Sequence, residues 1–322
     1  MSRIFSENIR LLALAALLAA ALCAGGESAR AADTPDTVTV AITLPPSILG
    51  RGSASFWDDV LKLQSILKKK YQINLVVRKE DSWEKVIRLL ENGQADIAPL
   101  PPYHYASSLR RRQNLPFSPL AVFESENSTG SRHCIYMIPG DEGFPKADDP
   151  IDLLVASRVA FPDETEWVVL NLIFRDSIYR FEASTYMYFF ESFQLLNRES
   201  AALALLFGQL DAVVMDEIGM KYVVEMDGRL AKASPIQCTG KLPNTPIVAR
   251  KSMKPALRKK ILGILTSMHN SPDFSQFRKY FKASDSRWVD AGKTDYSPWK
   301  EIARVSASSG WDKVFAALPV GD

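Results

Sequence analysis

Two similar segments, about 115 residues apart, constrain the fold of this 322-residue chain more than any other feature. The first runs through Gly93-Gln94-Ala95-Asp96 into the apolar stretch Ile97–Leu100 and ends in an aromatic turn at Pro101–Tyr105. The second runs through Gly208-Gln209-Leu210-Asp211 into Ala212–Met215. Glycine commonly ends a helix, and a short continuous apolar run fits a buried strand. A helix–Gly–x–x–Asp–strand unit that occurs twice predicts two similar α/β lobes.

The N-terminus has the three-part layout of a secretory signal. Residues 11–22 are wholly apolar, arginines precede them, and Ala29-Arg30-Ala31 offers small residues for cleavage. A retained anchor is an alternative, but the run is shorter than the roughly 20 residues that a membrane helix needs. A lipoprotein attached through Cys23 is another alternative, but Leu22 stands where such signals require a small residue. We therefore predict a cleavable signal peptide over residues 1–31, a periplasmic location and no later membrane span.

Composition argues against nucleic acid as a partner. The net charge is +2, and it falls to +1 when residues 1–31 are removed, whereas phosphate binding needs a marked basic surplus. We interpret the basic run at Arg110–Arg112 as a solvated helix end. His104 is a candidate base, but the sequence carries no nucleophile motif, metalloprotease motif or phosphate loop beside it. We expect no enzyme activity, no catalytic residue, no cofactor and no metal.

Cys134 and Cys238 are the cysteines that remain after the predicted signal. An oxidising compartment permits a disulfide between them, and two buried free thiols are an equal alternative. A soft-metal site with His133 is a third option, although no paired ligand spacing supports it. The sequence leaves this choice open.

Strand-like and helical runs alternate along the chain. Thr37–Leu44 and Ser157–Phe161 have the residue types of strands, whereas Ser55–Lys70 and Glu199–Gly208 have apolar residues at helical spacing. This βαβ rhythm predicts an α/β fold with mostly parallel sheets and helices on both faces.

The chain resembles a known family at three places. Besides Gly93–Tyr105 and Ser200–Glu217, the stretch Leu242–Lys251 contains Pro243-Asn244-Thr245-Pro246-Ile247, similar to a Pro-Asn-x-Pro-Ile return strand. The family is that of the phosphate/phosphite/phosphonate-type periplasmic solute-binding proteins of ABC transporters. The resemblance implies a type II periplasmic-binding-protein fold, in which two hinge strands join two lobes around a ligand cleft. We expect lobe 1 over residues 32–133 plus 246–322 and lobe 2 over residues 134–245.

The family's ligand loop is changed in this chain. Relatives typically carry Asp-Pro and then Ser-Thr-Ser-Gly at a helix N-terminus, where hydroxyls and backbone N–H groups hold an anion. Here Pro162-Asp163-Glu164-Thr165-Glu166-Trp167 follows the strand. Carboxylates repel an oxyanion and compete with it for the N–H groups. Asp163 as a simple helix cap is the alternative interpretation, and it covers the same donors. We therefore do not expect phosphonate binding.

The candidate ligand-binding residues are aromatic or acidic. They are Trp57, Tyr103, His104 and Tyr105 in lobe 1, and Glu166, Trp167, Tyr188, Asp216 and Glu217 in lobe 2. Tyr103 and Tyr105 match the family position that faces the ligand. The segment Phe181–Phe193 is rich in aromatic residues, which suits core packing or an apolar wall. We expect either a largely apolar ligand, such as a lipid or sterol-like molecule, or a small organic cation held by aromatic rings and carboxylates, with an oxyanion third.

These expectations describe a monomeric periplasmic protein that closes two lobes over a small ligand and delivers it to a membrane transporter. The alternative function is a ligand-sensing or accessory subunit for a sensor kinase or a non-ABC transport system.

Overall fold

The computed structural model describes residues 35–43, 53–147, 149–173, 190–275 and 286–311. The chain forms two compact units: residues 1–129 with 244–295 form the first, and 130–243 with 296–322 form the second. The predicted signal peptide, Tyr188 and most of the aromatic segment Phe181–Phe193 lie outside the described residues. No helix of the described part is both long and apolar enough for a membrane span.

The elements follow one another in the alternating order that the sequence predicts. The strands are β1 (Asp36–Thr43), β2 (Ile73–Glu80), β3 (Ile97–Pro99), β4 (Phe117–Glu124), β5 (Gly130–Ser131), β6 (His133–Met137), β7 (Ser157–Phe161), β8 (Phe190–Leu195), β9 (Ala212–Asp216), β10 (Ser234–Cys238), β11 (Leu242–Pro243), β12 (Pro246–Arg250) and β13 (Arg287–Asp290). The α-helices are α1 (Ser53–Tyr71), α2 (Trp83–Glu91), α3 (Pro102–Arg111), α4 (Glu164–Ile173), α5 (Arg198–Leu206), α6 (Glu217–Met226), α7 (Pro255–Ser267) and α8 (Ser297–Ser309).

Each unit is built on one main sheet, and the second unit also contains the two-stranded sheet β11-β5. In the first unit the strand order is β13-β4-β12-β3-β1-β2, and in the second it is β10-β6-β9-β7-β8. The core of the first unit is formed by apolar residues of β1, α1, β2 and α7, among them Val40, Leu67 and Ile261. The core of the second unit includes Val213 and Met215 of β9, packed against Ala201 and Leu205 of α5. The predicted α/β fold is confirmed.

The sheets are mixed rather than mostly parallel, which corrects the prediction. Strands β1, β2 and β3 run parallel, as do β7, β8 and β9, because a crossover helix separates consecutive members. Strands β4, β12 and β13 are antiparallel to their neighbours, and so are β6 and β10. Periodicity in a single sequence identifies these strands but not their direction, because the direction depends on the side from which the chain re-enters the sheet.

The repeated Gly–x–x–Asp motif forms a clamp in the first unit. Gly93 adopts φ +71°, where a side chain would be strained and would also meet the Arg250 guanidinium. Asp96 then pairs with the neighbouring strand: its backbone N donates to Thr39 O at 2.8 Å, and its Oδ2 accepts from Thr39 N at 2.8 Å. Arg250 completes the clamp by donating from Nη2 to Asp96 Oδ1 at 2.6 Å and from Nη1 to Gly93 O at 3.3 Å.

The second unit contains the same clamp with a different arginine. Asp211 N donates to Arg158 O at 2.9 Å, and Asp211 Oδ2 accepts from Arg158 N at 2.8 Å. The Arg158 guanidinium donates to both oxygens of Asp211 and, from Nη2, to Gly208 O at 2.9 Å. Each motif therefore fastens a helix end to the adjacent strand. The repetition is a feature of folding and does not by itself form a ligand site.

A disulfide joins Cys134 on β6 to Cys238 on β10, with 4.1 Å between the two Cα atoms. The two cysteines are direct partners in the antiparallel register. Of the three states that the sequence left open, the structure contains the disulfide, and it excludes the soft-metal site built on free thiolates.

The C-terminal helix α8 belongs to the second unit, although the sequence analysis placed residues 246–322 in lobe 1. The Trp299 indole N–H donates to Pro243 O at 2.8 Å, and its ring packs edge-on against His133, with centroids 5.4 Å apart. The boundary therefore lies at residues 295–296 as well as at 129–130 and 243–244. Trp299 contacts a residue far away in the sequence. No local pattern therefore predicts that the chain returns to the second unit at α8.

Candidate ligand-binding residues

Most of the charged candidate ligand-binding residues lie at the edge of the second sheet where the parallel strands end. Strand β7 ends at Phe161 just before α4, β9 ends at Asp216 just before α6, and His133 at the start of β6 pairs with Asp216 in the register. Among the described residues, the acidic groups at or beside this edge are Asp163, Glu164, Glu166, Glu199, Asp216 and Glu217, and the basic groups, counting His133, are Arg132, His133, Arg198 and Lys241. Within that described set, acidic side chains outnumber basic ones even when His133 is protonated.

Asp163 covers the first turn of α4. Its Oδ1 accepts hydrogen bonds from Thr165 N at 2.7 Å and Glu166 N at 3.3 Å. These backbone groups are the donors that an anion at a helix N-terminus uses. The carboxylate therefore stands in the place of a bound anion, and it acts as the helix cap that the sequence analysis considered.

Glu166 is buried and bound to a histidine that the sequence analysis did not connect with it. Both Glu166 carboxylate oxygens lie 3.0 Å from His133 Nδ1. Burial raises the pKa of Glu166, and His133 offsets only part of that effect. For His133, burial lowers the pKa, but the charge and hydrogen bond of Glu166 outweigh it, so the pKa is raised. Each partner offsets part of the cost of burying the other's charge. The pair therefore stabilises the interior of the second unit next to this edge.

Asp216 and Glu217 are each held by an arginine. Asp216 caps α6 by accepting from Gly219 N, and its Oδ2 accepts from Arg198 Nη2 at 2.9 Å. Glu217 accepts from Arg132 Nε at 2.8 Å and from Arg132 N at 3.1 Å. Burial raises the pKa of Glu217, but the Arg132 hydrogen bonds outweigh it, so the pKa lies below its usual value. Both side chains are thus fixed in position, and the arginines nearest to them are already paired.

Trp167, predicted as a ligand wall, is fully buried in the second unit. Its side chain is fully buried, the indole N–H donates to Trp311 O at 3.0 Å, and the ring packs against Phe161. The adjacent Glu166 contacts His133, so these two neighbouring residues of α4 both make contacts inside the second unit.

The first unit places its candidates at the start of α3. Tyr103, His104 and Tyr105 are buried, and α3 begins with proline and without a side-chain cap on its first turn. The Trp83 ring lies 6.0 Å from the His104 ring, and the Glu84 carboxylate lies within 4.8 Å of a His104 ring nitrogen. The structure therefore adds Trp83 and Glu84 to the neighbourhood of His104, which the sequence analysis missed because they lie on α2.

Tyr105 and Trp57 have structural surroundings. Tyr105 packs against Phe117 with ring centroids 6.4 Å apart, and burial raises its pKa to about 12. Trp57 lies on α1, partly buried against the core of the first unit. Packing accounts for both positions, so neither is favoured as a ligand contact.

Comparison with known proteins identifies the family. Residues 53–296 match the family model described as the periplasmic substrate-binding protein of phosphonate ABC transporters. A search of curated proteins by sequence gives no match.

Solved structures share the fold at low sequence identity. PhnD1 of Prochlorococcus marinus, in complex with methylphosphonate, superposes with a TM-score of 0.61 at 11% identity and covers 85% of this chain and 99% of its own. The XAC2383 protein of Xanthomonas citri, bound to chloride, gives 0.56 at 12%, with 85% and 98% covered. A binding protein of a phosphonate transporter from Pseudomonas aeruginosa gives 0.53 at 14%, with 88% and 99% covered. The type II fold is thereby confirmed, and the chain belongs to the family of periplasmic substrate-binding proteins of phosphonate-type ABC transporters.

Proposed function

We propose that this protein captures an organic cation in the periplasm and delivers it to an ABC transporter in the membrane. Delivery to a transporter is the role of the family to which the chain belongs. The choice of a cation rests on one observation: Asp163 Oδ1 occupies the Thr165 and Glu166 backbone N–H groups at the start of α4.

An oxyanion is disfavoured at this helix on two grounds. It must displace Asp163 from its two hydrogen bonds, or else approach a carboxylate. Two like unit charges 4 Å apart repel by about 4 kcal/mol at an effective dielectric constant of 20. That energy corresponds to roughly a thousandfold loss of affinity. Methylphosphonate, which PhnD1 of Prochlorococcus marinus holds, is therefore not carried over to this chain.

The surrounding charges favour a positive ligand. Arg132 is paired with Glu217, and Arg198 is paired with Asp216, so neither guanidinium is available to an anion without breaking an ion pair. Asp163 and Glu164 add negative charge at the first turn of α4, and both residues are half-buried. A cationic ligand gains from this field.

A largely apolar ligand is not proposed. Trp167, the aromatic side chain nearest the changed loop, packs in the core of the second unit. The tyrosine- and phenylalanine-rich segment that motivated a lipid or sterol lies mostly outside the described residues. The described part of the edge presents carboxylates.

Calorimetric titration with choline, putrescine, methylphosphonate and phosphate tests the proposal. We expect heat of binding with a cation and none with either oxyanion. Asp163→Asn is the informative variant, because asparagine keeps the helix cap and removes the charge. It should weaken cation binding about tenfold, whereas Glu142→Gln, at an exposed acid elsewhere in the second unit, should change it less than twofold. Tight binding of methylphosphonate by the unaltered protein would reject the proposal.

A further inference from the structure

One end of the first unit is strongly basic. Helix α1 ends in Lys68–Lys70, α3 ends in Arg110 and Arg111 followed by Arg112, and Lys251 and Lys254 follow β12. All eight side chains are exposed. We call these residues the basic end. They lie where β1 and β2 begin, at the sheet edge away from the carboxyl ends of these strands.

Backbone and side-chain contacts bring these segments together. Asp36 N at the start of β1 donates to Gln72 O just after α1 at 3.1 Å, and Lys254 Nζ lies 3.3 Å from Asp36 Oδ1. Lys251 N donates to Pro116 O at 2.7 Å, which ties the segment after α3 to the end of β12. The three basic segments are therefore neighbours in one unit and not separate runs.

The positive charge of this end is poorly compensated. Asp36 pairs with Lys254, and Asp273 pairs with Lys70. Within the described residues, no ion pair is formed by Lys68–Lys69, Arg110–Arg112 or Lys251. Further acids at this end are Glu91 and Asp96, and Asp96 is already paired with Arg250. The whole chain carries a net charge of only +2, so the charge is concentrated here.

The chemistry of the basic end fits a lipid surface better than a protein. Protein interfaces depend on a few buried aromatic or apolar anchors. The exposed large apolar side chains of the described residues are Leu61, Val76, Val155 and Phe207, and none lies at the basic end. Leu61 is ten residues before the end of α1, or about 15 Å along the helix. Exposed lysines and arginines without an apolar anchor suit anionic headgroups, which attract each such charge separately.

We propose that the basic end adsorbs to the anionic headgroups of a membrane. Adsorption is reversible, because it depends on charge without insertion, and it is screened by salt. It restricts the search for a membrane-embedded transporter to the membrane surface. The inference does not depend on which ligand the protein carries.

Vesicle co-sedimentation of the protein purified from the periplasm tests this inference. We expect binding to vesicles of phosphatidylethanolamine and phosphatidylglycerol at low salt. Binding should be lost at about 1 M salt, where the Debye length is roughly 3 Å, and absent with phosphatidylcholine alone. Arg110→Gln, Arg111→Gln and Arg112→Gln together should weaken binding about a hundredfold, and Lys68→Gln with Lys69→Gln about thirtyfold.

The matched control removes three exposed lysines elsewhere, through Lys146→Gln, Lys232→Gln and Lys293→Gln. It lowers the net charge as much as the arginine triple variant, and we expect less than a threefold change. No binding of the unaltered protein to anionic vesicles would overturn the inference. So would equal losses in the arginine variant and the control, since net charge and not the basic end would then be responsible.

Discussion

Removing Asp211 tests the interpretation of the repeated motif as a clamp. In Asp211→Ala, the Arg158 backbone N–H loses its acceptor at 2.8 Å, and the guanidinium loses contacts at 2.9 and 2.8 Å. The Arg158 and Asp211 side chains are about one-third exposed, so the ion pair contributes no more than about 1 kcal/mol. An unsatisfied backbone donor costs about 1–3 kcal/mol. We therefore expect a loss of about 2–3 kcal/mol.

Thermal unfolding followed by circular dichroism measures this loss. For a unit of this size, we expect the melting temperature to fall by about 5–10 °C. Asp211→Asn should lie between the two proteins, because its amide oxygen still accepts from Arg158 N. The control is Glu301→Ala in the same unit, which removes an exposed ion pair with Arg304 and should change stability by less than about 0.5 kcal/mol. Equal melting of Asp211→Ala and Glu301→Ala would refute the clamp.

Three further predictions concern the second unit. Trp167→Ala should lower the stability by about 3–5 kcal/mol by leaving a cavity, seen as a lower denaturation midpoint; an unchanged midpoint with lost ligand affinity would instead support the original assignment as a ligand wall. Cys134→Ser with Cys238→Ser opens a loop of about 100 residues and should cost about 4–5 kcal/mol in chemical denaturation under non-reducing conditions; reduction of the unaltered protein should match it. The hydrogen bonds from Arg158 hold the pKa of Asp211 below its usual range. The stabilisation by Asp211 is therefore present above the unfolded pKa of about 3.9 and is lost as pH falls through the folded pKa. The difference in stability between the unaltered protein and Asp211→Asn should accordingly shrink in acid.

Local signals in the sequence predicted most of the elements. Ser157–Phe161 is a strand with the predicted bounds, and the helix before Gly93 ends at Glu91 with Asn92 as its C-cap, close to the glycine that commonly ends a helix. These signals are local because caps, glycine stops and apolar periodicity act within a few residues. Strand β13 was not predicted, since its four residues carry too short a pattern.

Features that depend on distant residues were not predictable in the same way. The antiparallel strands, the attachment of α8 to the second unit and the His133–Glu166 pair all join residues far apart in the chain. Asp163 shows the opposite case, because a cap acts within its own turn, and its hydrogen bonds are those that the sequence suggested. Trp167 lies only four residues further on, but its burial depends on how α4 packs, which no local pattern specifies.

The most direct test of the central claim is to identify the ligand that the protein holds. Native mass spectrometry of the protein purified from its own periplasm, followed by release and fragmentation of the bound molecule, provides this measurement. The account predicts a small molecule with a positive charge, which is retained less well by Asp163→Asn. A phosphonate or another oxyanion held by the unaltered protein would contradict it.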